Sequence, residues 1–359
     1  MNVQFWQEAA QQVTPRHASG METVKSRLHW MRQRALDAIA YAMVRSIVAL
    51  IQIMPLDMGD RFCRVIAAIL SGPLPIRKKV IQSTLSQIFP DLPAATEKDL
   101  TFAMWHHLML MVCEVAWAQR RLHRCNWYQH VRFHGNRTIL RTMLSDRPSV
   151  YVTGHFGNFE VGGYTMGLMG VRTLAIARRL DNPYLHDWVE DFRSAKGQDV
   201  VDKIGCAPIV ERHLNEGGML SLLADQHAGN KGLWTDFCGV PASCHKALAL
   251  FSLTANAPMM SVYTRRIDGK PMQFESGLLG VVDPAAGTED GQSVGQMTEW
   301  YNSQLESMID IAPEQYWWLH RRWRTPPEKV ARRLQKKREK AMQNSSSSTT
   351  GKTSTSQAA

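Results

Sequence analysis

Between Pro148 and Glu160 the chain reads Pro-Ser-Val-Tyr-Val-Thr-Gly-His-Phe-Gly-Asn-Phe-Glu, and few backbones accommodate that order of residues. Val150, Tyr151, Val152 and Thr153 favour a pleated strand and are bracketed by Pro148 and Gly154. Gly157 and Asn158 then supply turn and N-cap chemistry, and Phe159 to Leu168 can run as a helix. The reading is a buried strand that delivers His155 to its carboxyl end, with Glu160 in the first turn of the next helix. Open α/β sheets carry their sites at that edge. An imidazole beside a carboxylate can take a proton from a hydroxyl, so acyl transfer to an alcohol is the first chemistry to consider.

The spacing by itself says little. With 13 His and 32 acidic residues in 359 positions, chance supplies about one His-x4-acid match. The chain has three of them: His17/Glu22, His155/Glu160 and His186/Asp191. His17 lies in a polar N-terminal segment, and the His186 pair sits on an amphipathic helix surface. On a continuous helix a five-residue offset is about 140° of rotation, which separates the side chains. Only the His155 pair has a loop before its helix that lets the two groups meet.

Beyond this stretch, strands and helices alternate. Thr173–Ala177, Gly218–Ala224, Met259–Thr264 and Gln273–Val282 read as strands. Helices are expected at Pro183–Ser194, Ile209–Glu216, Ala247–Asn256 and Thr298–Ile311. That pattern predicts an α/β fold with a mixed, mostly parallel sheet covered by helices. Before it, the chain reads as helical from Leu28, with helices at Arg61–Leu70, Ile76–Phe89 and Thr96–Arg121. The expected organisation is a loose leader over 1–27, a helical region over 28–135, an α/β domain over 136–327 and a tail over 328–359. From Asn344 the tail is a low-complexity Ser/Thr run, expected to be disordered.

The formal net charge of +10 is concentrated, since residues 321–340 hold ten Lys/Arg against Glu328 and Glu339. Such a run attracts anionic headgroups or nucleic acid, or is a solvated helix with a tail. The N-terminus has no apolar signal-peptide core. Leu36 to Leu56 is the most apolar stretch, interrupted by Asp37 and Arg45. It predicts a helix in the membrane interface, with a tilted span carrying a snorkelling Arg45 and a buried core helix as alternatives. The 6 cysteines form no C-x-x-C pair and read as reduced thiols of a cytosolic setting.

Arg178 and Arg179 follow the Thr173–Ala177 strand at a carboxyl edge, where arginine suits a phosphate or an oxyanion, or is simply surface charge. Asp225 ends the Leu220–Ala224 run, either as a turn cap or to orient the His155 region or a basic partner. Gly291-Gln-Ser293-Val-Gly295 matches a nucleophile elbow, but a loop precedes it where a strand is required, so Ser293 reads as a helix cap.

Taken in order, these landmarks resemble the bacterial lipid A biosynthesis late acyltransferases, the lauroyl/myristoyl transferase family. The resemblance runs from Leu28 to Pro327 and rests on Gly154-His155-Phe-Gly-Asn-Phe-Glu160, Arg178 before Asn182-Pro183, Ala224-Asp225-Gln226 and Phe237-Cys-Gly-Val240. Its longest element is Glu314-Gln-Tyr-Trp-Trp-Leu-His-Arg-Arg-Trp-Arg-Thr-Pro326. The family belongs to the wider glycerolipid acyltransferases, which use His and an acid at this spacing.

The resemblance implies transfer of a fatty acyl group from an acyl thioester, on acyl carrier protein or acyl-CoA, to a glycolipid hydroxyl at the inner membrane's cytoplasmic face. It implies His155 as general base, Glu160 as its orienting acid and Arg178 as a phosphate or oxyanion contact. Asp225 and Asn158 are expected at the substrate, with oxyanion donors near the helix start. No metal, cofactor or nucleic acid is called for. Arg179 departs from the family, many of whose members carry proline there, and so do the polar N-terminal helix and the basic tail. Alternatives are an acyltransferase for another glycolipid or phospholipid, and a catalytically silent lipid-binding protein.

Overall fold

Strand formers at every position of Ser149–Thr153 are buried through Val152, which puts this segment at the centre of a sheet in the computed structural model. The structure describes residues 24–194, 197–336, 338 and 339. The expected leader, the His17/Glu22 pair and the Ser/Thr run lie outside the described residues.

The N-terminal region is helical, with α1 (Val24–Ile53), α2 (Leu56–Ser71), α3 (Lys78–Ile88) and α4 (Ala94–Arg121). After β1 (Val131–His134) and α5 (Asn136–Met143) come β2 (Ser149–Thr153), α6 (Phe159–Leu168), β3 (Thr173–Ala177) and α7 (Pro183–Ser194). Next are β4 (Gln198–Asp202), α8 (Ala207–Asn215), β5 (Met219–Leu223) and the hairpin of β6 (Leu233–Phe237) and β7 (Val240–Cys244). The chain continues through α9 (Ala247–Thr254), β8 (Met259–Arg266), β9 (Phe274–Val282) and α10 (Val294–Ile311). A further helical stretch spans 328–336.

The main sheet has 7 strands in the order β1-β9-β8-β2-β5-β3-β4, all pairings parallel except β8 with β9. It is the mixed, mostly parallel α/β sheet that the alternation predicts. Four strands escaped the sequence reading. β4 is Gln-Asp-Val-Val-Asp, and pairing with β3 overrides its weak local preference. β1 pairs with β9 and so joins the sheet, which therefore begins before the domain limit expected at 136. In the β6–β7 hairpin Cys238 (φ 52) and Gly239 (φ 72) form the two-residue loop, both with the positive φ that suits sheet twist.

α4 is long and apolar enough to cross a membrane, but more than half of its apolar stretch is buried, as in a core helix. α1 is different. Its apolar stretch His29–Ile53 is long enough to cross a membrane and almost wholly exposed. It continues through Arg45, whose guanidinium lies 5.3 Å over the Trp188 ring of α7 instead of reaching past the helix end. α2 adds Met58, Phe62, Val65 and Ile69, all exposed, at the i, i+4, i+7, i+11 spacing of one helix face.

A buried ionic network links these layers. Arg266, ending β8, donates through Nε to Glu114 Oε1 and through one terminal nitrogen to Oε2, both at 2.7 Å, and Glu114 is fully buried. Asn158 and the Met272 amide also donate to Glu114. His107, which burial and the neighbouring Arg266 charge keep neutral, accepts from Arg266 at Nδ1 and donates to the Gly157 carbonyl at Nε2. Gln315 brackets Arg266, accepting its amide and donating to its carbonyl.

Gly157 (φ +57) stands where this network meets the turn after β2. A Cβ there would fall inside the van der Waals shell of the Thr264 carbonyl, on backbone that cannot yield as a side chain can. Gly157→Ala is therefore expected to cost about 2–4 kcal/mol, through strain and overpacking. Chemical denaturation should show the loss, and an unchanged midpoint would contradict the geometry.

Candidate active site

The register of two strands builds the site. β2 and β5 pair in parallel with Thr153 opposite Leu223, so the residues two places beyond each partner, His155 and Asp225, emerge side by side at the carboxyl edge. Asp225, fully buried, accepts the His155 amide at Oδ2 and the His155 Nδ1–H at Oδ1, both at 2.7 Å. Burial alone would raise this carboxyl, but the His155 charge and its hydrogen bonds outweigh that and hold Asp225 at about 2. An ionised Asp225 puts the imidazole proton on Nδ1 and the lone pair on Nε2. That nitrogen faces the Gln226 side-chain nitrogen at 3.3 Å.

Aromatic rings fix the remaining faces of the imidazole. Phe159, Trp317 and His320 lie with centroids 5.4, 4.9 and 4.7 Å from that of His155. The last two come from the segment after α10, which crosses the carboxyl edge of the sheet. Phe156 and Tyr316 form an antiparallel bridge, the Trp317 amide donates to the His155 carbonyl at 3.1 Å, and the Gly157 amide donates to Gln315 at 2.9 Å. His320 is pushed down to about 4 by burial and then by the His155 charge, so it is a neutral neighbour at pH 7.

Glu160 does not meet His155. Its carboxylate is taken by Arg193 of α7, through a terminal nitrogen to Oε1 and through Nε to Oε2 at 3.2 Å. The orienting hydrogen bond expected from Glu160 comes from Asp225, because helix rotation at the start of α6 turns position 160 towards α7. Asn158 is also placed differently from the expected substrate contact. It is fully buried, caps α6 by accepting the Val161 amide at 3.1 Å, and donates to Glu114 at 3.0 Å. Nor are the Gly157 and Asn158 amides free as oxyanion donors, being taken by the Gln315 and Thr264 carbonyls. Arg178 is largely exposed and pairs with Asp181 at 2.8 Å. His186 meets Glu190 one turn on instead of Asp191, and Ser293 caps α10 as expected.

Two concavities open at this carboxyl edge, one beside the ends of β3 and β4 and the other against His155. A cavity of about 860 Å³ is walled by Val48, Met111, Val115, Trp188 and Phe192, with Glu160, Arg178, Arg179, Glu190, Arg193 and Asp202 as its charged members. Its size and apolar walls suit a hydrocarbon chain. The second, of about 970 Å³, is lined by Gln226 and His320, which both contact His155, and by six basic residues. Among the described residues His155, Asp225 and His320 also bring metal-ligand atoms within 4.8 Å of one another, but the first two are spent on each other.

The sequence resembles known proteins over most of its length. Residues 30–325 match the family of bacterial lipid A biosynthesis acyltransferases. The lipid A biosynthesis lauroyltransferase of Escherichia coli K12 is 23% identical over 265 residues, covering 72% of this chain and 82% of that protein. The palmitoleoyltransferase of the same organism is 25% identical over 261 residues, covering 70% and 80%. Among solved structures, the 1-acyl-sn-glycerophosphate acyltransferase PlsC of Thermotoga maritima aligns with 75% of this chain and 98% of its own, at 11% identity and a TM-score of 0.36. With a family match that spans the helical region, the sheet and the segment crossing its carboxyl edge, the chain belongs to the bacterial lipid A biosynthesis acyltransferases and is an O-acyltransferase.

Proposed function

We propose that this enzyme moves a fatty acyl group from a thioester, carried by acyl carrier protein, to a hydroxyl of a lipid A precursor, with His155 as general base. The observation that carries the reading is the fully buried Asp225 holding His155 through Nδ1, which leaves Nε2 as the proton acceptor facing one substrate-sized concavity, with a second at the same sheet edge. The acceptor hydroxyl takes the place of the Gln226 amide at Nε2. As its oxygen attacks the thioester carbonyl, Nε2 takes the proton. The tetrahedral intermediate then collapses to the ester, and the departing thiolate recovers that proton from the imidazolium.

The acyl chain lies in the apolar cavity. The Glu160–Arg193 pair closes its inner wall, and Arg178 stands ready at the opening for a charged or oxyanionic group. The exposed apolar faces of α1 and α2 seat the enzyme in the inner membrane from its cytoplasmic side.

Transfer from purified acyl carrier protein thioester to a lipid A precursor, followed by mass spectrometry, tests this directly. His155→Ala should lose at least about 10³-fold in rate and stay folded. Glu160→Gln should lose far less, because its partner is Arg193. If Glu160→Gln were as inactive as His155→Ala while Asp225→Asn kept its rate, the orienting role would revert to Glu160. If acyl-CoA supported transfer and the carrier protein did not, the donor assignment would be wrong.

A further inference from the structure

The basin on the Gln226 side of His155 is lined by Arg77, Lys78, Lys79, Arg321, Arg322 and Arg324, and among the described residues no acidic side chain lines it. Three of those cations sit where they are least welcome. Arg77 is the N-cap of α3, held in the left-handed region at φ 55, and Lys78 and Lys79 open the helix with no acid in the first turn. A helix N-terminus is already electropositive, so cations there repel it unless an anion intervenes. Arg77 also donates to the Leu319 carbonyl at 3.0 Å, which fixes this wall of the basin to the opposite one.

The floor makes the same point independently. Arg322 is fully buried, yet its hydrogen bonds go to the Gln226 and Ser243 carbonyls, Cys244 Sγ and Asn302 Oδ1, and none to a carboxylate. Its Nε has no partner among the described residues. A buried guanidinium without a counter-ion is strongly unfavourable unless something anionic approaches it. The two histidines of the basin register this field. His227 is lowered by burial and then by Arg324 and Arg322, and the Arg77 charge adds to the lowering of His320.

We propose that this basin is a phosphate subsite that holds a phosphorylated headgroup of the acceptor lipid while its hydroxyl reaches His155. The proposal rests on the acyl-transfer reading above. Two observations favour the acceptor over the donor as the source of the phosphate. The basin opens on the side of Nε2, the atom that takes the acceptor's proton, because Gln226 both lines it and faces that nitrogen. In addition, the exposed apolar run of Met58, Phe62, Val65 and Ile69 continues through exposed Leu74 and Ile76 directly into Arg77. That order puts the basin at the depth of the headgroups when α2 rests on the bilayer.

The test uses the full-length protein in mixed micelles, with a lipid A precursor in its phosphorylated form and after phosphatase treatment. Wild type should show a KM at least about tenfold higher for the stripped acceptor, as loss of charge-assisted contacts requires. The double variant Lys78→Ala/Lys79→Ala, and separately Arg324→Gln, should raise KM for the phosphorylated acceptor towards that value, with kcat much less affected and the donor KM unchanged. A rise confined to the donor KM would give the basin to the carrier's phosphodiester instead. Equal effects on both acceptor forms would remove the phosphate subsite altogether. Inorganic phosphate or pyrophosphate should raise the melting temperature of wild type and do so less in the variants. That readout decides the basin even if no transfer is detected, in which case the acyl-transfer reading alone falls.

Discussion

Asp225→Asn is expected to slow acyl transfer by about 10³- to 10⁴-fold in a protein that still folds. An asparagine can keep accepting the His155 amide through its oxygen, but its nitrogen then points an N–H at Nδ1. The imidazole answers by moving its proton to Nε2, and the atom that should receive the acceptor's proton is already occupied. In a serine protease triad this tautomer error is worth about 10⁴ in rate. The substrate KM values should change little, because neither concavity loses a wall. The pH behaviour adds a second readout. Asp225 sits below its ordinary 3.8, at about 2, so it binds its proton less readily in the folded protein than in the unfolded one. Its contribution to stability is complete above about pH 4 and is lost as pH falls through about 2. The asparagine variant should lose that stretch of acid sensitivity. An enzyme that keeps a tenth of its rate after this substitution would exclude Asp225 as the orienting group.

The largest stability loss is expected at Glu114→Ala. This carboxylate accepts two hydrogen bonds from Arg266 and one each from Asn158 and the Met272 amide, all in a site closed to water. Deleting it strands a guanidinium in the interior, which costs about 3–5 kcal/mol. The melting temperature should fall by on the order of 10 °C. The loss belongs to the unpaired charge and not to the missing contacts, so Glu114→Leu combined with Arg266→Met should recover most of it. Strictly additive losses in the double variant would show that the two groups do not depend on each other. Activity should decline along with stability, since Asn158 and His107 tie this network to the turn that carries His155.

The strand-turn-helix reading of residues 148–168 was legible because local preference and burial agree there. Val150 to Thr153 want a strand and receive one between two parallel neighbours. The identity of the acid at His155 was not legible from spacing. The family pattern pointed five residues ahead, whereas the hydrogen bonds come from a residue 70 positions away. Nothing local in Leu220–Asp225 announces that β5 will lie next to β2, since register is a property of the assembled sheet. Glu160 illustrates the converse. Its partner Arg193 lies on a helix two elements later, and only the packing of α7 against the sheet reveals it. Arg322 was read as part of the basic run over residues 321–340, which suits anionic headgroups, nucleic acid or a solvated helix with a tail. Instead it is buried, while Arg338 docks on Asp236 of the β6–β7 hairpin at 2.6 Å. Charge counts along a sequence cannot distinguish a side chain under the floor of a basin from one on a tail.

The antiparallel bridge between Phe156 and Tyr316 sets a timetable for biosynthesis. His155 leaves the ribosome about 160 residues before the segment that supplies Tyr316, Trp317 and His320. At about 5–20 residues per second, that interval lasts on the order of ten seconds or more. Throughout it α1 and α2 are already made, yet His155 lacks its aromatic enclosure and the turn lacks the Gln315 and Trp317 hydrogen bonds. The exposed apolar faces of α1 and α2 are thus made well before the site behind them is complete, and the enclosure of His155 waits for residues 315–320.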